Sequence, residues 1–189
     1  MTTKKQEKIK FSKAFWVANT VELFERAAYY GVFIVITLYL SRILGFNDIQ
    51  AASIAGIFSA CLYLLPTFAG ALADKIGFRN SMLLAFTLLT CGYLGLAVYP
   101  TWLQSAGLVE YSTTTTFTGL LESNLQYGII PIMALIVCGG AFIKSVISGT
   151  VAKETTPETR AKGFSIFYAM VNIGAFRKDH REAASRGVG

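Results

Sequence analysis

Long apolar runs, separated by short charged breaks, constrain this chain more than any other feature. A helix needs about 20 apolar residues to cross the hydrocarbon core of a bilayer. The sequence offers runs of this kind at 14–40, 51–73, 81–99 and 128–151, and a further one that starts near Ala161 and reads to Phe176. Only 15% of the 189 residues are charged, against roughly 25% in a soluble domain. The pattern predicts an all-α membrane protein with five transmembrane helices.

The breaks organise the rest. Residues 1–13 form a basic lead, and residues 14–176 hold the helical bundle. Ser41-Arg42 and Asn47-Asp48 part the first two spans. A turn from Asp74 to Asn80 separates the second from the third. A long polar stretch from Pro100 to Tyr127, with Thr113 to Thr116 at its centre, reads as an ordered loop or a short surface helix. A charged loop from Lys153 to Lys162 precedes the fifth span.

The net charge of +6 does not point to nucleic acid. Five of the 17 basic residues lie in the lead (Lys4, Lys5, Lys8, Lys10 and Lys13), and no basic face with interleaved aromatics lies outside the apolar runs. A cleaved signal peptide is also disfavoured, because the first run is too long and carries Glu22, Glu25 and Arg26. Lys75 and Arg79 after span two, and Lys153, Arg160 and Lys162 after span four, fall on the same side as the lead. The other side has only Arg42 in two loops. The positive-inside rule therefore predicts a cytoplasmic N-terminus in a cytoplasmic (plasma) membrane.

The last 13 residues break the pattern. Arg177-Lys178-Asp179-His180-Arg181-Glu182 follows Phe176 where a span should continue, at large cost in lipid. Read one base later, codons for residues 177–189 permit Gly-Lys-Thr-Ile-Val-Lys-Pro-Leu-Arg-Glu-Ala-Leu, which fits the end of a helix and its loop. The expectation is a polar tail, 177–189, that replaces the natural continuation through a shifted frame.

Inside the first span, Glu22, Glu25, Arg26, Tyr29 and Tyr30 fall at i, i+3, i+4, i+7 and i+8, on one face of a helix. Ionisable groups at membrane depth are expensive and usually mark a proton or substrate path. Two carboxylates and one guanidinium form a unit that changes its charge with one proton. Moving Arg26 between a carboxylate and an anionic substrate would couple binding to protonation. The bland alternative is a Glu22–Arg26 pair that holds the helix to a neighbour; three charges and two tyrosines on one stripe weigh against it.

Lys144 is the only charge in the fourth span. It serves a buried anion, or it snorkels to the surface. Pro66 and Pro131 lie inside spans and can kink them. Gly139-Gly140 permits close helix contact. Cys61, Cys91 and Cys138 lie in three different runs without metal spacing and read as small packing residues. No nucleophile–base pair, phosphate loop or metal site is present, so neither an enzyme nor a cofactor is predicted. The single histidine, His180, lies in the tail.

Glu22-Leu-Phe-Glu25-Arg26-Ala-Ala-Tyr29-Tyr30-Gly31 resembles the ExxER-F-x-YYG motif of the proton-coupled oligopeptide (peptide/nitrate) transporters. Gly70-Ala-Leu-Ala-Asp74-Lys-Ile-Gly77-Phe-Arg79 is similar to the cytoplasmic loop motif between helices two and three of major-facilitator transporters. Phe164 to Phe176, with Asn172 and Gly174, resembles the family's fifth-helix signature. The three stand in the right order across about 160 residues.

The resemblance implies part of an N-terminal six-helix bundle and proton-driven uptake of di- and tripeptides or similar solutes. It implies proton coupling by Glu22, Glu25 and Arg26, a substrate site lined by Tyr29, Tyr30, Tyr63, Lys144 and Asn172, and a cytoplasmic gate at Gly70, Asp74, Gly77 and Arg79. Lys144 matches a family lysine that helps hold the peptide carboxylate. The chain departs from the pattern at Ala27, where the family has Phe, at Phe33, where a basic residue is usual, and at Ser145, where proline follows the lysine. These departures leave a transporter of another small solute as the alternative. A third expectation is a non-transporting, partner-binding membrane fragment, since five helices cannot form the two-bundle cavity of alternating access. Sequencing the gene through codon 176 is expected to find further apolar spans in a shifted frame; an intact frame would remove the frameshift.

Overall fold

The computed structural model describes residues 10–108 and 124–175. Most of the basic lead, the centre of the polar stretch after the third span and the tail from Phe176 onward lie outside the described residues. Backbone polar groups in hydrocarbon must be satisfied within the chain, and a helix does this within one segment. The described residues accordingly form five α-helices and no strand: α1 (Lys13–Leu38), α2 (Asp48–Ile76), α3 (Phe78–Ser105), α4 (Ile129–Lys153) and α5 (Arg160–Ala175).

Four of them, α1 to α4, are long and apolar enough to cross a membrane. The fifth is not, over its described length. Its 16 residues reach about 24 Å at 1.5 Å per residue, short of the ~30 Å hydrocarbon core.

The ends of the helices depart from the sequence reading in three places. Helix α1 does not stop at Leu40, because a π-helical turn, Tyr39–Ile43, carries it through the polar break. Helix α2 starts before Ala51, because Asn47 and Gln50 cap it reciprocally: Gln50 N–H donates to Asn47 Oδ1 at 2.8 Å, and Asn47 N–H to Gln50 Oε1 at 3.3 Å. Helix α3 runs through Pro100 to Ser105, so the long connection begins later than Pro100.

The turn between α2 and α3 is also shorter than the stretch Asp74–Asn80. Asp74 lies in the last turn of α2, and Gly77 alone leaves the helical conformation. Its φ of +84° is where a side chain is strained, although nothing crowds the position. Pro131 falls in the first turn of α4, the part of a helix where proline is best tolerated.

The chain forms two compact units: Met1–Ala28 with Ile147–Gly189, and Tyr29–Val146. In the second unit α3 and α4 approach through small residues. A Cβ at Gly139 would stand 2.8 Å from Leu89 Cγ and 3.0 Å from both Ala85 O and Leu89 N. A Cβ at Gly92 would collide with Ile136. Lipid supplies no hydrophobic drive between helices, so close van der Waals contact of this kind does the holding. Helices α2 and α4 meet where Ser145 Oγ lies 2.5 Å from Pro66 O and 2.9 Å from Ala141 O. Tyr39 O–H donates to Leu96 O at 2.8 Å and ties the end of α1 to α3.

In the first unit, α5 packs on α1. A Cβ at Gly174 would lie 2.8 Å from Arg26 Cβ and 2.9 Å from Leu23 O. Because two of the three neighbours at Gly139 are backbone atoms, Gly139→Val is expected to destabilise the chain by about 1–3 kcal/mol, the usual cost of overpacking. A thermal melt in detergent should show a lower midpoint than wild type; an unchanged midpoint would contradict the packing described.

Candidate functional site

Two groups of ionisable and aromatic side chains lie inside the helices, one in each unit. The first sits on α1. Glu22 is 1% exposed, Glu25 8% and Arg26 5%, which is rare for charged residues unless they are paired. They are paired. Arg26 Nη2 lies 2.5 Å from Glu25 Oε2, and Arg26 Nε lies 3.4 Å from Glu22 Oε1. Arg26 Nε also donates to Glu25 Oε2.

Adjacent residues on a helix do not normally face each other, so Arg26 folds sideways to reach Glu25 while holding Glu22 one turn back. The grip is uneven: Glu25 is held closely and Glu22 at a longer distance. Fully ionised, the trio carries one net negative charge, and a single proton neutralises it. Burial favours the neutral sum, because isolated charge in a low dielectric is costly. Helix α5 covers the trio at Gly174, whose lack of a Cβ lets the backbone come down onto Arg26.

The second group lies in the other unit. Lys144 Nζ stands 4.5 Å from the centroid of the Tyr63 ring, within the range of a cation–π contact. Lys144 is half-buried while Tyr63 is 60% exposed. Tyr29 is buried, with its hydroxyl 3.4 Å from Ser59 Oγ. Its ring meets Tyr30 edge-on at 5.2 Å and stacks with Phe33 at 5.6 Å. Phe33, which replaces a basic residue of the family pattern, thus extends an aromatic wall.

Sequence reasoning named most of these residues. Asn172 lies exposed on α5, in the first unit. Asp74 and Arg79 are exposed and make no ion pair among the described residues. A carboxylate in the last turn faces the negative end of the helix dipole, so α2 gains nothing from Asp74. Gly70 belongs to α2 rather than to a loop, and a Cβ there would sit 3.7 Å from Ser145.

Two residues were missed. Ser59 partners Tyr29, and nothing in its sequence context marks it. Asn19 is fully buried on α1, and its position three residues before Glu22 was a signal that could have been used. An apolar cavity of about 320 Å³ lies between α2 and α4, lined by Phe58, Cys61, Met133 and Cys138 among others. It has no ionisable wall, and its two cysteines fit the packing role read from sequence. Among the described residues no cluster of metal-ligating side chains occurs.

The Tyr63 ring under Lys144 gives a direct test of the pair. Tyr63→Phe keeps the ring face and is expected to leave the thermal midpoint unchanged. Tyr63→Leu removes it and should cost about 0.5–1 kcal/mol. Equal loss in both variants would assign the stabilisation to the hydroxyl instead.

Residues 18–176 match the family described as the Major Facilitator Superfamily. The chain is similar to the dipeptide and tripeptide permease A of Salmonella typhi, at 31% identity over 171 residues, covering 87% of this chain and 29% of the permease. It is similar to the protein of the same name from Serratia proteamaculans at 29% identity over 170 residues, covering 87% and 28%. The chain thus spans less than a third of the length of the curated relatives it matches. No solved structure matches it significantly. The family is one of transporters, not enzymes. With four helices among the described residues able to span a bilayer, this chain is an integral, multi-pass membrane protein that belongs to the major facilitator superfamily.

Proposed function

We propose that the whole protein to which this chain belongs carries out proton-coupled symport of di- and tripeptides. The observation that carries the reading is the buried trio, in which Arg26 bridges Glu22 and Glu25 on a membrane-spanning helix. A unit of this kind stores one proton without leaving a net charge in lipid. An incoming peptide carboxylate that draws Arg26 away from Glu22 favours protonation of the acid it leaves. Binding and proton uptake then occur together.

Lys144 provides a second cation for the peptide carboxylate, with Tyr29, Tyr30, Tyr63 and Asn172 as hydroxyl, aromatic and amide contacts. The relatives named as dipeptide and tripeptide permeases support this substrate class. Asp74, Gly77 and Arg79, with Gly70 packed against α4, act as the cytoplasmic gate. The distribution of Lys and Arg supports a cytoplasmic N-terminus in the plasma membrane, and α5 belongs to the fifth span of an N-terminal six-helix bundle. One specific observation favours a second reading, transport of another small solute: Phe33 sits in the aromatic wall where a second cation would hold a carboxylate.

Uptake of a labelled dipeptide by the full-length protein in vesicles, with and without an inward proton gradient, tests the assignment. Uptake should depend on the gradient and drop at least about tenfold in Glu22→Gln and in Lys144→Ala, the scale of one lost charged contact. Gradient-driven uptake at wild-type level in both variants would refute these roles. Competition by nitrate or amino acids, but not by peptides, would favour the second reading.

A further inference from the structure

Asn19 is fully buried on α1. Its Nδ2 donates to Phe15 O at 2.8 Å. That bond fixes the amide, because only the nitrogen can donate to a carbonyl. The oxygen, Oδ1, is therefore turned the other way, and it is buried with no hydrogen-bond partner among the described residues. Buried acceptors are almost always satisfied, and an exception calls for a reason.

Glu22 is three residues further along the same helix, a spacing that makes the two side chains neighbours. Side chains on a helix lean towards its N-terminus, so the ordinary lean of Glu22 is towards Asn19. In the structure its carboxylate instead keeps a long contact, 3.4 Å, to Arg26 on the C-terminal side. The difference between the two neighbours is chemical. Arg26 only donates and so prefers an ionised carboxylate. Asn19 Oδ1 only accepts, and so can bond the acid only when it carries its proton.

We infer that Asn19 is a positioning residue for the proton carrier: the protonated carboxyl of Glu22 leaves Arg26 and donates its O–H to Asn19 Oδ1. This rests on the reading of Glu22 as a proton-coupling acid. The charged neighbours on α1 are Glu25 and Arg26, which remain paired with each other when Glu22 moves. Every other charged residue described in this unit, from Lys10 and Lys13 before and at the start of α1 to Lys153, Glu154, Glu158, Arg160 and Lys162 around α5, is exposed. On this inference Glu22 takes a second position when it carries its proton, nearer the N-terminal end of α1.

Infrared difference spectra of the chain in lipid vesicles, recorded as the pH is lowered, test this without requiring transport. A protonated-carboxyl band that is absent in Glu22→Gln identifies the Glu22 proton. In Asn19→Leu that band should move to higher wavenumber, as a carboxyl does when its O–H loses an acceptor. It should also reach half height about one pH unit lower, the scale of one hydrogen bond. Asn19→Ser keeps a small acceptor and should restore both partly, and the amide band of the same spectra reports whether each variant is folded. A band in folded Asn19→Leu and Asn19→Ser with wild-type position and midpoint overturns the inference and leaves Glu22 in its role. A band that survives in Glu22→Gln instead removes Glu22 as the proton carrier, and the inference falls with it.

Discussion

Arg26 reaches two carboxylates at once, from the middle of a helix whose other faces are apolar. Charge at membrane depth must be covered and matched within the protein, and the surroundings of this trio follow from that requirement. Helix α5 carries a glycine at the one place where its backbone meets Arg26 Cβ. The buried stripe of α1 runs Phe15, Asn19, Glu22, Arg26 and Tyr29, while Val17, Phe24 and Leu38 face outward. A helix with this division has only one rotational setting that avoids exposing charge to lipid. The chemistry and the packing of α1 are therefore fixed by the same residues.

The second unit solves a different problem with different means. Its helices carry few polar groups, and contact is gained by removing side chains at Gly92 and Gly139 so that Ile136 and the α3 backbone fill the space. Ser145 adds a hydroxyl between α4 and the backbone of α2 at Pro66. Proline at this point would carry no hydroxyl. The departure from the family pattern at Ser145 thus exchanges a helix breaker for a link between two helices.

The helices were legible because hydrocarbon leaves the chain little choice: an apolar run of the right length is a helix. The charged stripe was legible because a period of 3.6 puts residues 22, 25, 26, 29 and 30 on one face. The ends were harder. The capping box at Asn47 and the π-helical turn across Ser41-Arg42 are local hydrogen-bond choices that a hydropathy pattern does not register. Asp74 was read as part of a turn because charge ends an apolar run, yet charge does not end a helix, and only Gly77 does so here. Tyr63 with Lys144 was read through resemblance; their contact depends on how α2 and α4 pack, which no local pattern contains. Asn19 escaped notice because an asparagine near the end of a span looks like ordinary boundary polarity until its burial is known.

The single-residue connection at Gly77 has a mechanical consequence. Helices α2 and α3 leave it in opposite directions, with 29 and 28 residues, each about 42 Å long at 1.5 Å per residue. Neither has slack in a loop to absorb rotation, so the joint works as the pivot of a pair of long levers. A change of about 5° there moves the far helix ends by ~4 Å relative to each other, a displacement of between two and three residues' rise along a helix. Small torsional adjustments at one membrane face are in this way geared up into side-chain-sized displacements at the other.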